Sequence, residues 1–315
     1  MRSRRGVALL AALWLVVAIG AVALQFSLEA RERRTLGILA AERGQQRGLA
    51  LGALALVRAR ADQQMRTVPT GSNPATARLR ASDPLLDVAT NYNGPMMVDS
   101  TPVDVSAIDL GEKLNINVVS ENELRTFFSF LLKDFDLAGH LAQATMDWRD
   151  ADTLPRPSGA EVDAYIKAER LALPTNGQFR DVDDLRNVLG MTPEIFATVR
   201  PYLTVRGNGQ INLNSAPVPV LRALPGMTDQ ALNLILMMRS QGRRIDNAQQ
   251  ILNAQGGRGG QAAGAAFGGR AVYQTPMVEM TFTARTGPQS SPTKLTVLLA
   301  RGGENSGLRV GSLIW

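Results

Sequence analysis

The stretch Arg4-Arg5-Gly6-Val7-Ala8-Leu9-Leu10-Ala11-Ala12-Leu13-Trp14, which continues without a charged residue to Leu28, decides how the rest of the chain must be arranged. As a helix, Val7 to Leu28 would be roughly 33 Å long at about 1.5 Å per residue. That is enough to cross a bilayer core of about 30 Å. Arg2, Arg4 and Arg5 precede the run, and a basic flank stays on the cytoplasmic side. Everything beyond Glu29 then lies across the membrane. A cleaved secretory signal and a plain signal anchor both begin this way. A signal's apolar region, however, spans about 7–15 residues and closes on a small-residue site. Here the run is longer and passes directly into Glu29-Ala30-Arg31-Glu32-Arg33-Arg34.

Ala, Leu, Arg, Glu and Gln dominate from Glu29 to about Met65, and no proline occurs before Pro69. This predicts one long helix. Leu36, Leu39, Ala40, Leu54, Val57, Ala61 and Met65 form a stripe at helical spacing. Ala40, Gly44, Gly48 and Gly52 recur every four residues, so a second backbone could come close, either a neighbouring helix or the protein's own sheet. Thr67 to Gly94 is rich in Pro, Ser, Asn and Asp and reads as a loop. Met96–Val98 and Val103–Val105 read as short strands. Near the other end, Val278 to Ala284 alternates strictly, and Leu295–Ala300 and Leu308–Leu313 complete an antiparallel meander. Such a sheet needs an apolar partner, and the long N-terminal helix supplies it.

Between these strands the pattern is helical. Ser120 and Glu123 have capping-box spacing ahead of a helix over 121–133, and a second helix is expected over 137–146. Asn115-Ile116-Asn117 and Asn212-Leu213-Asn214 echo one another, each before a Leu-rich helix expected to be capped by Ser (Ser120, Ser215), with Asn side chains bonding local backbone at a turn. Asn208-Gly209 is a hairpin signal. Gln255 to Gly269 is a low-complexity loop.

With 315 residues and 45% apolar content, two or three compact units are expected. Much of the basic excess behind the net charge of +6 lies in the first residues and in Arg31, Arg33, Arg34, Arg43, Arg47, Arg58 and Arg60, a solvated helix face more than a nucleic-acid groove. There is no Cys, which removes disulfides, thiol catalysis and Cys-bound zinc. His140 is the only histidine, so a His-based metal triad cannot form, and no G-x-S-x-G elbow accompanies it.

The densest chemical cluster is acidic: Asp147, Asp150, Asp152, Glu161 and Asp163 surround a Pro-rich loop. Asp150, Asp152 and Glu161 stand at offsets 1, 3 and 12 of an EF-hand loop, but Leu154 and Pro155 stand where a ligand and a glycine belong. The loop is not an EF-hand. Its carboxylates could gather a hard cation such as calcium, or their repulsion could be relieved by water and by Arg149 or Arg156. In and just beyond 220–238, the run LRALPGMTDQALNLILMMRSQGRR (221–244) resembles a helix-hairpin-helix, with Arg222, Arg239, Arg243 and Arg244 as possible phosphate contacts. Thr228 replaces the hairpin's second glycine.

Several of these segments together resemble one family. Arg4-Arg5-Gly6-Val7 resembles a type IV pilin-like leader, cut before the apolar helix. The fifth position after that cut is Ala11, where pilins carry Glu. DWRDAD at 147–152, GAE at 159–161, QFRDVDDL at 178–185, PYLTV at 201–205 and INLNSAP at 211–217 resemble minor pseudopilin K of type II secretion systems, the general secretion pathway protein K family. In that family the last motif usually has Thr where Ser215 stands.

The resemblance implies an α+β fold: a pilin-like long N-terminal helix on a small antiparallel sheet, with a large inserted all-helical domain resembling SAM and helix-hairpin-helix designs. The implied units are a leader over 1–6, a transmembrane helix over 7–28, a pilin-like helix and first strands over 29–119, and a helical insert over 120–269. The insert divides into subdomains at about 120–205 and 211–254, and the closing strands lie over 270–315. It also implies cleavage between Gly6 and Val7 by prepilin peptidase with N-methylation of Val7, and a single pass of the inner membrane with the bulk of the chain periplasmic. The implied partners are other minor pseudopilins in a tip complex and the major pseudopilin. No enzymatic activity and no nucleic acid are expected. A membrane-anchored DNA-uptake protein is the alternative, carried by the 220–238 hairpin.

Overall fold

The computed structural model describes residues 4–66, 83–254, 266–302 and 308–315. Helix α1 runs unbroken over Arg4–Arg66. Among the described residues it is the one helix long and apolar enough to cross a membrane. Gly6 and Val7 fall in its first turns, where side-chain surroundings lie outside the described residues. Among the described residues the first half of α1 is exposed, and Trp14, Phe26, Leu36 and Leu39 all face outward. Burial begins at Gln46 and continues through Leu49, Ala50, Ala53, Val57 and Ala61. The predicted stripe is therefore a core face only in its second half, because the sheet does not reach Leu36 and Leu39. Of the four-residue small stripe, only Gly52 meets the sheet, where a Cβ would lie 3.0 Å from Val98 Cγ1. At Gly44 and Gly48 a Cβ would meet nothing within 4 Å.

The expected loop over 67–94 contains a helix. Residues 67–82 lie outside the described residues, but α2 spans Pro84–Asn91. Asp83 caps it by accepting from the Leu86 amide, and Pro84 occupies the first turn, where its missing N–H costs nothing. Leu85 and Val88 are buried, so three-residue apolar spacing inside a polar stretch was the signal. Strands β1 (Gly94–Val98) and β2 (Thr101–Asp109) form a two-residue hairpin. Its turn residues Asp99 and Ser100 both have positive φ, as this tight turn requires.

After Asp109 the chain leaves the sheet. Strand β3 (Leu114–Asn115) leads into α3 (Glu121–Leu132) and α4 (Phe135–Arg149), followed by the short α5 (Val162–Lys167) and α6 (Pro193–Val199). Ser120 and Glu123 make the capping box in full. Strand β4 (Leu203–Thr204) closes the module by pairing in parallel with β3. A second module opens with β5 (Ile211–Asn212), continues through α7 (Val218–Ala223), α8 (Asp229–Ser240) and α9 (Ala248–Ala254), and closes with β6 (Ala271–Val272), again parallel to its opening strand. The insert is thus not purely helical. The expected Asn208-Gly209 hairpin is also absent: Gly207 and Gly209 turn the chain with positive φ, but β4 and β5 part to join different modules.

The two modules repeat one design. Asn115 Oδ1 accepts from the Asn117 amide, and Asn212 Oδ1 accepts from the Asn214 amide. Asn117 exchanges two bonds with the Phe179 backbone, and Asn214 does the same with Ile245. Arg149 donates to the carbonyls of Ile116 and Val119, and Arg239 donates to those of Leu213 and Ala216. The echo ends at the following helix. Ser120 caps α3, whereas Ser215 donates to Asp109 Oδ2 at 2.8 Å and Pro217 occupies the cap position of α7 without a side-chain bond.

The chain returns to the sheet as β7 (Met277–Ala284), beside the strand it left, and closes with β8 (Thr293–Arg301) and β9 (Leu308–Ile314). The antiparallel order is β1-β2-β7-β8-β9. Val103, Val105, Val278, Met280, Phe282, Leu295, Val297 and Leu299 pack beneath α1 and α2. Burying each large side chain of this set contributes about 1.5–3 kcal/mol. Gln46 is buried and holds α1 to the β7–β8 turn: it donates to the Ser291 carbonyl at 3.1 Å and accepts from Thr293 Oγ1 at 2.6 Å. The inserted modules are tied back to the sheet by buried Asp109, which accepts from Gly111, Ser215 and Thr275, and by the Arg206–Glu279 ion pair at 2.8 Å.

Candidate metal centre

The acidic loop grows out of the end of α4. Trp148 there is buried against Tyr165 and stacks on Phe179, and this fixes the helix end. Asp147, beside it, is fully buried. The loop returns so closely over this carboxylate that a Cβ on Gly159 would lie 1.9 Å from Asp147 Oδ2, so only glycine fits there. Two bonds pin the loop to α4. His140 Nδ1 pairs with the Ser158 carbonyl at 2.7 Å, and the Ser158 amide donates to Gln143 Oε1 at 2.6 Å. On the other side, Asn176 donates to the Asp152 carbonyl at 2.6 Å.

Ligand oxygens of Asp150, Asp152 and Glu161 lie within 4.8 Å of one another. Oxygens bound to one calcium ion at about 2.3–2.6 Å can be no more than about 5 Å apart, so the spacing suits a single hard cation. Glu161 is only 6% exposed, and neither of its carboxylate oxygens has a hydrogen-bond partner; Asp150 Oδ1 has none either. Burial raises the Glu161 pKa first, and the charges of Asp147, Asp150 and Asp152 add to it. A buried carboxylate without a partner costs several kcal/mol unless something compensates its charge. The donor set, all oxygen and all carboxylate, fits calcium and would not select a softer ion.

The other two acids of the sequence cluster do other things. Asp147 is engaged by the Arg156 guanidinium and by the Arg156 amide at 3.2 Å. Asp163 is exposed in the first turn of α5 and lies outside the group. Of the two arginines that could relieve the repulsion, Arg156 does so, pairing with Asp147, Asp150 and Glu121. Arg149 turns away to the carbonyls of the first module. Glu121, on α3, carried no signal in the sequence because its distance from the loop closes only in three dimensions.

The 220–238 hairpin is committed to packing. Gly226 has φ +73°, but α8 begins with Thr228 as its own cap, and Asp229 in the first turn pairs with Arg222. Arg239 holds the second module's carbonyls, and burial lowers its pKa to about 10 despite the nearby Glu112. Arg244 donates to the Tyr273 carbonyl. Three of the four arginines that a phosphate would need are therefore used inside the fold, and a carboxylate stands at the helix end where the phosphate would sit.

The family model for type II secretion system (T2SS) protein K matches residues 112–208, the first module. Two curated relatives are both described as type II secretion system protein K. The one from Pectobacterium carotovorum subsp. carotovorum is 29% identical over 107 residues, covering 33% of each chain. The one from Dickeya chrysanthemi is 32% identical over 105 residues, covering 32% of this chain and 28% of the relative. The aligned part thus spans about a third of these relatives. A chain in the crystal structure of the GspK-GspI-GspJ complex from enterotoxigenic Escherichia coli is similar over far more: 91% of this chain and 98% of that one, at a TM-score of 0.56 and 14% identity. At that identity the likeness shows the fold. The first module thus resembles type II secretion system protein K in sequence, and the chain shares its fold with a chain of the GspK-GspI-GspJ complex.

Proposed function

We propose that the chain is a minor pseudopilin that joins counterparts of GspI and GspJ at the tip of a periplasmic pseudopilus, caps it and starts its assembly. The observation that carries this reading is the fold shared with a chain of the GspK-GspI-GspJ complex over nearly the whole length. The free half of α1 supports it, since an exposed apolar arm of that length suits a bilayer and then neighbouring helices. The helix-hairpin-helix-like modules serve here as packed structure. The arm anchors the protein in the inner membrane with the N-terminus cytoplasmic and the body periplasmic. Prepilin peptidase removes residues 1–6 and methylates Val7. The role is structural and requires no catalysis. Affinity purification of the full chain from detergent, co-expressed with the two counterpart pseudopilins, should yield a ternary complex. Recovery of those two together without this chain would contradict the reading.

We further propose that Asp150, Asp152 and Glu161 bind calcium. The unpartnered, buried oxygens of Glu161 support this. Calcium at millimolar concentration should raise the thermal midpoint of the full chain by several degrees, through binding to the folded state only. Chelation should reverse the shift, and Glu161→Gln should abolish it. An unchanged midpoint with calcium would leave the three acids as repelling charges.

A further inference from the structure

The acidic loop keeps a permanent positive charge among its acids. One guanidinium nitrogen of Arg156 contacts both Asp147 and Asp150, and another lies 3.5 Å from Glu121. The carboxylate of Asp150 is thereby divided. Oδ2 is held by Arg156, while Oδ1 has no partner and Asp150 stands in the group with Asp152 and Glu161. Asp147 cannot turn to water, because it is fully buried and Gly159 lies directly over it. Without Arg156, its charge and that of Asp150 would face each other uncompensated.

We propose that Arg156 is the resident counter-charge of the cation site, which keeps the loop folded when no metal is bound and holds the cation affinity down. This rests on the calcium reading above. An arginine does not release its proton at any ordinary pH, so its charge persists when the ion arrives. A unit charge set one carboxylate's width from a divalent ion weakens its binding by about tenfold even at the dielectric constant of water. The site therefore fills and empties with calcium concentration, while the loop stays in place through its bonds to His140 and Gln143.

The test uses the full chain in detergent with terbium(III), a hard ion whose luminescence can be excited through Trp148, displaced by calcium. Arg156→Gln should bind calcium at least about tenfold more tightly than the unmodified chain, and its thermal midpoint in chelator should be lower. Arg156→Lys, which keeps the charge without the fork, should bind within about threefold of the unmodified chain. If Arg156→Gln does not fold in chelator, calcium should restore its circular dichroism spectrum. Unchanged or weaker binding in Arg156→Gln would overturn the proposal. So would binding in Arg156→Lys weaker by more than that, or failure of calcium to restore the fold. Absence of calcium-displaceable luminescence in all three chains would instead remove the calcium reading itself, and this proposal with it.

Discussion

Asp147 and Glu161 are both buried acids of one loop, and they differ in what faces them. Asp147 meets a guanidinium and a backbone amide; Glu161 meets other carboxylates and no side-chain donor. That difference separates a structural acid from a candidate ligand. The offsets of Asp150, Asp152 and Glu161 were readable from spacing. The choice of Arg156 over Arg149 was not, since it depends on which way Arg149 leaves the end of α4 and on how the loop folds Arg156 back over that end. At the other end of the chain, the proposed cleavage after Gly6 is a local matter: a peptidase that cuts there would need no side chain at that position. Gly6→Asp should block processing, leaving the uncut mass by intact-protein mass spectrometry, while the unmodified chain loses residues 1–6 and gains a methyl group. An uncut mass in the unmodified chain would remove the leader assignment.

Each inserted module is held by one half-buried arginine that gathers the carbonyls of its N-x-N turn. Burial opposes the charge of both, lowering the pKa of Arg149 and bringing that of Arg239 down to about 10. Replacing either leaves two buried carbonyls without a donor, each costing about 1–3 kcal/mol. Arg149→Ala and Arg239→Ala should each destabilise the protein by about 2–5 kcal/mol in denaturant melts. Hydrogen exchange should quicken in 112–205 for the first and in 211–272 for the second. Exchange that rises equally in both modules would show that they do not stand as separate units. The paired N-x-N motifs were visible in the sequence. Their arginine partners were not, because the helices that carry them sit at different distances from the two motifs. Helix α2 was hidden for another reason: its eight residues lie in a Pro- and Asp-rich stretch, where Asp83-Pro84 is as good a helix start as a loop signal.

At the scale of the molecule, the insertion follows from the sheet. β2 and β7 are adjacent and antiparallel, so the chain can leave at Asp109, build two modules and return without disturbing the register Val105↔Phe282. The alternating strands at both ends of the sequence made this sheet legible, and α1 was the only segment long enough to cover it. What the sequence left open was where α1 stops being an arm and becomes a core helix. That point is set by Gln46 and the β7–β8 turn, a contact between residues some 240 positions apart. The arm before it begins, after the proposed cut, with an apolar run whose fifth residue is Ala11. In hydrocarbon a carboxylate at that place would need a cation from the next subunit; alanine needs none. A subunit built this way can end a filament but has no charge with which to hold another ahead of it. Electron cryomicroscopy of assembled pseudopili carrying a labelled copy of this chain tests that most directly. One label at one end of each filament is the expected result; labels repeating along the shaft, with neighbours of the same kind on both sides, would contradict it.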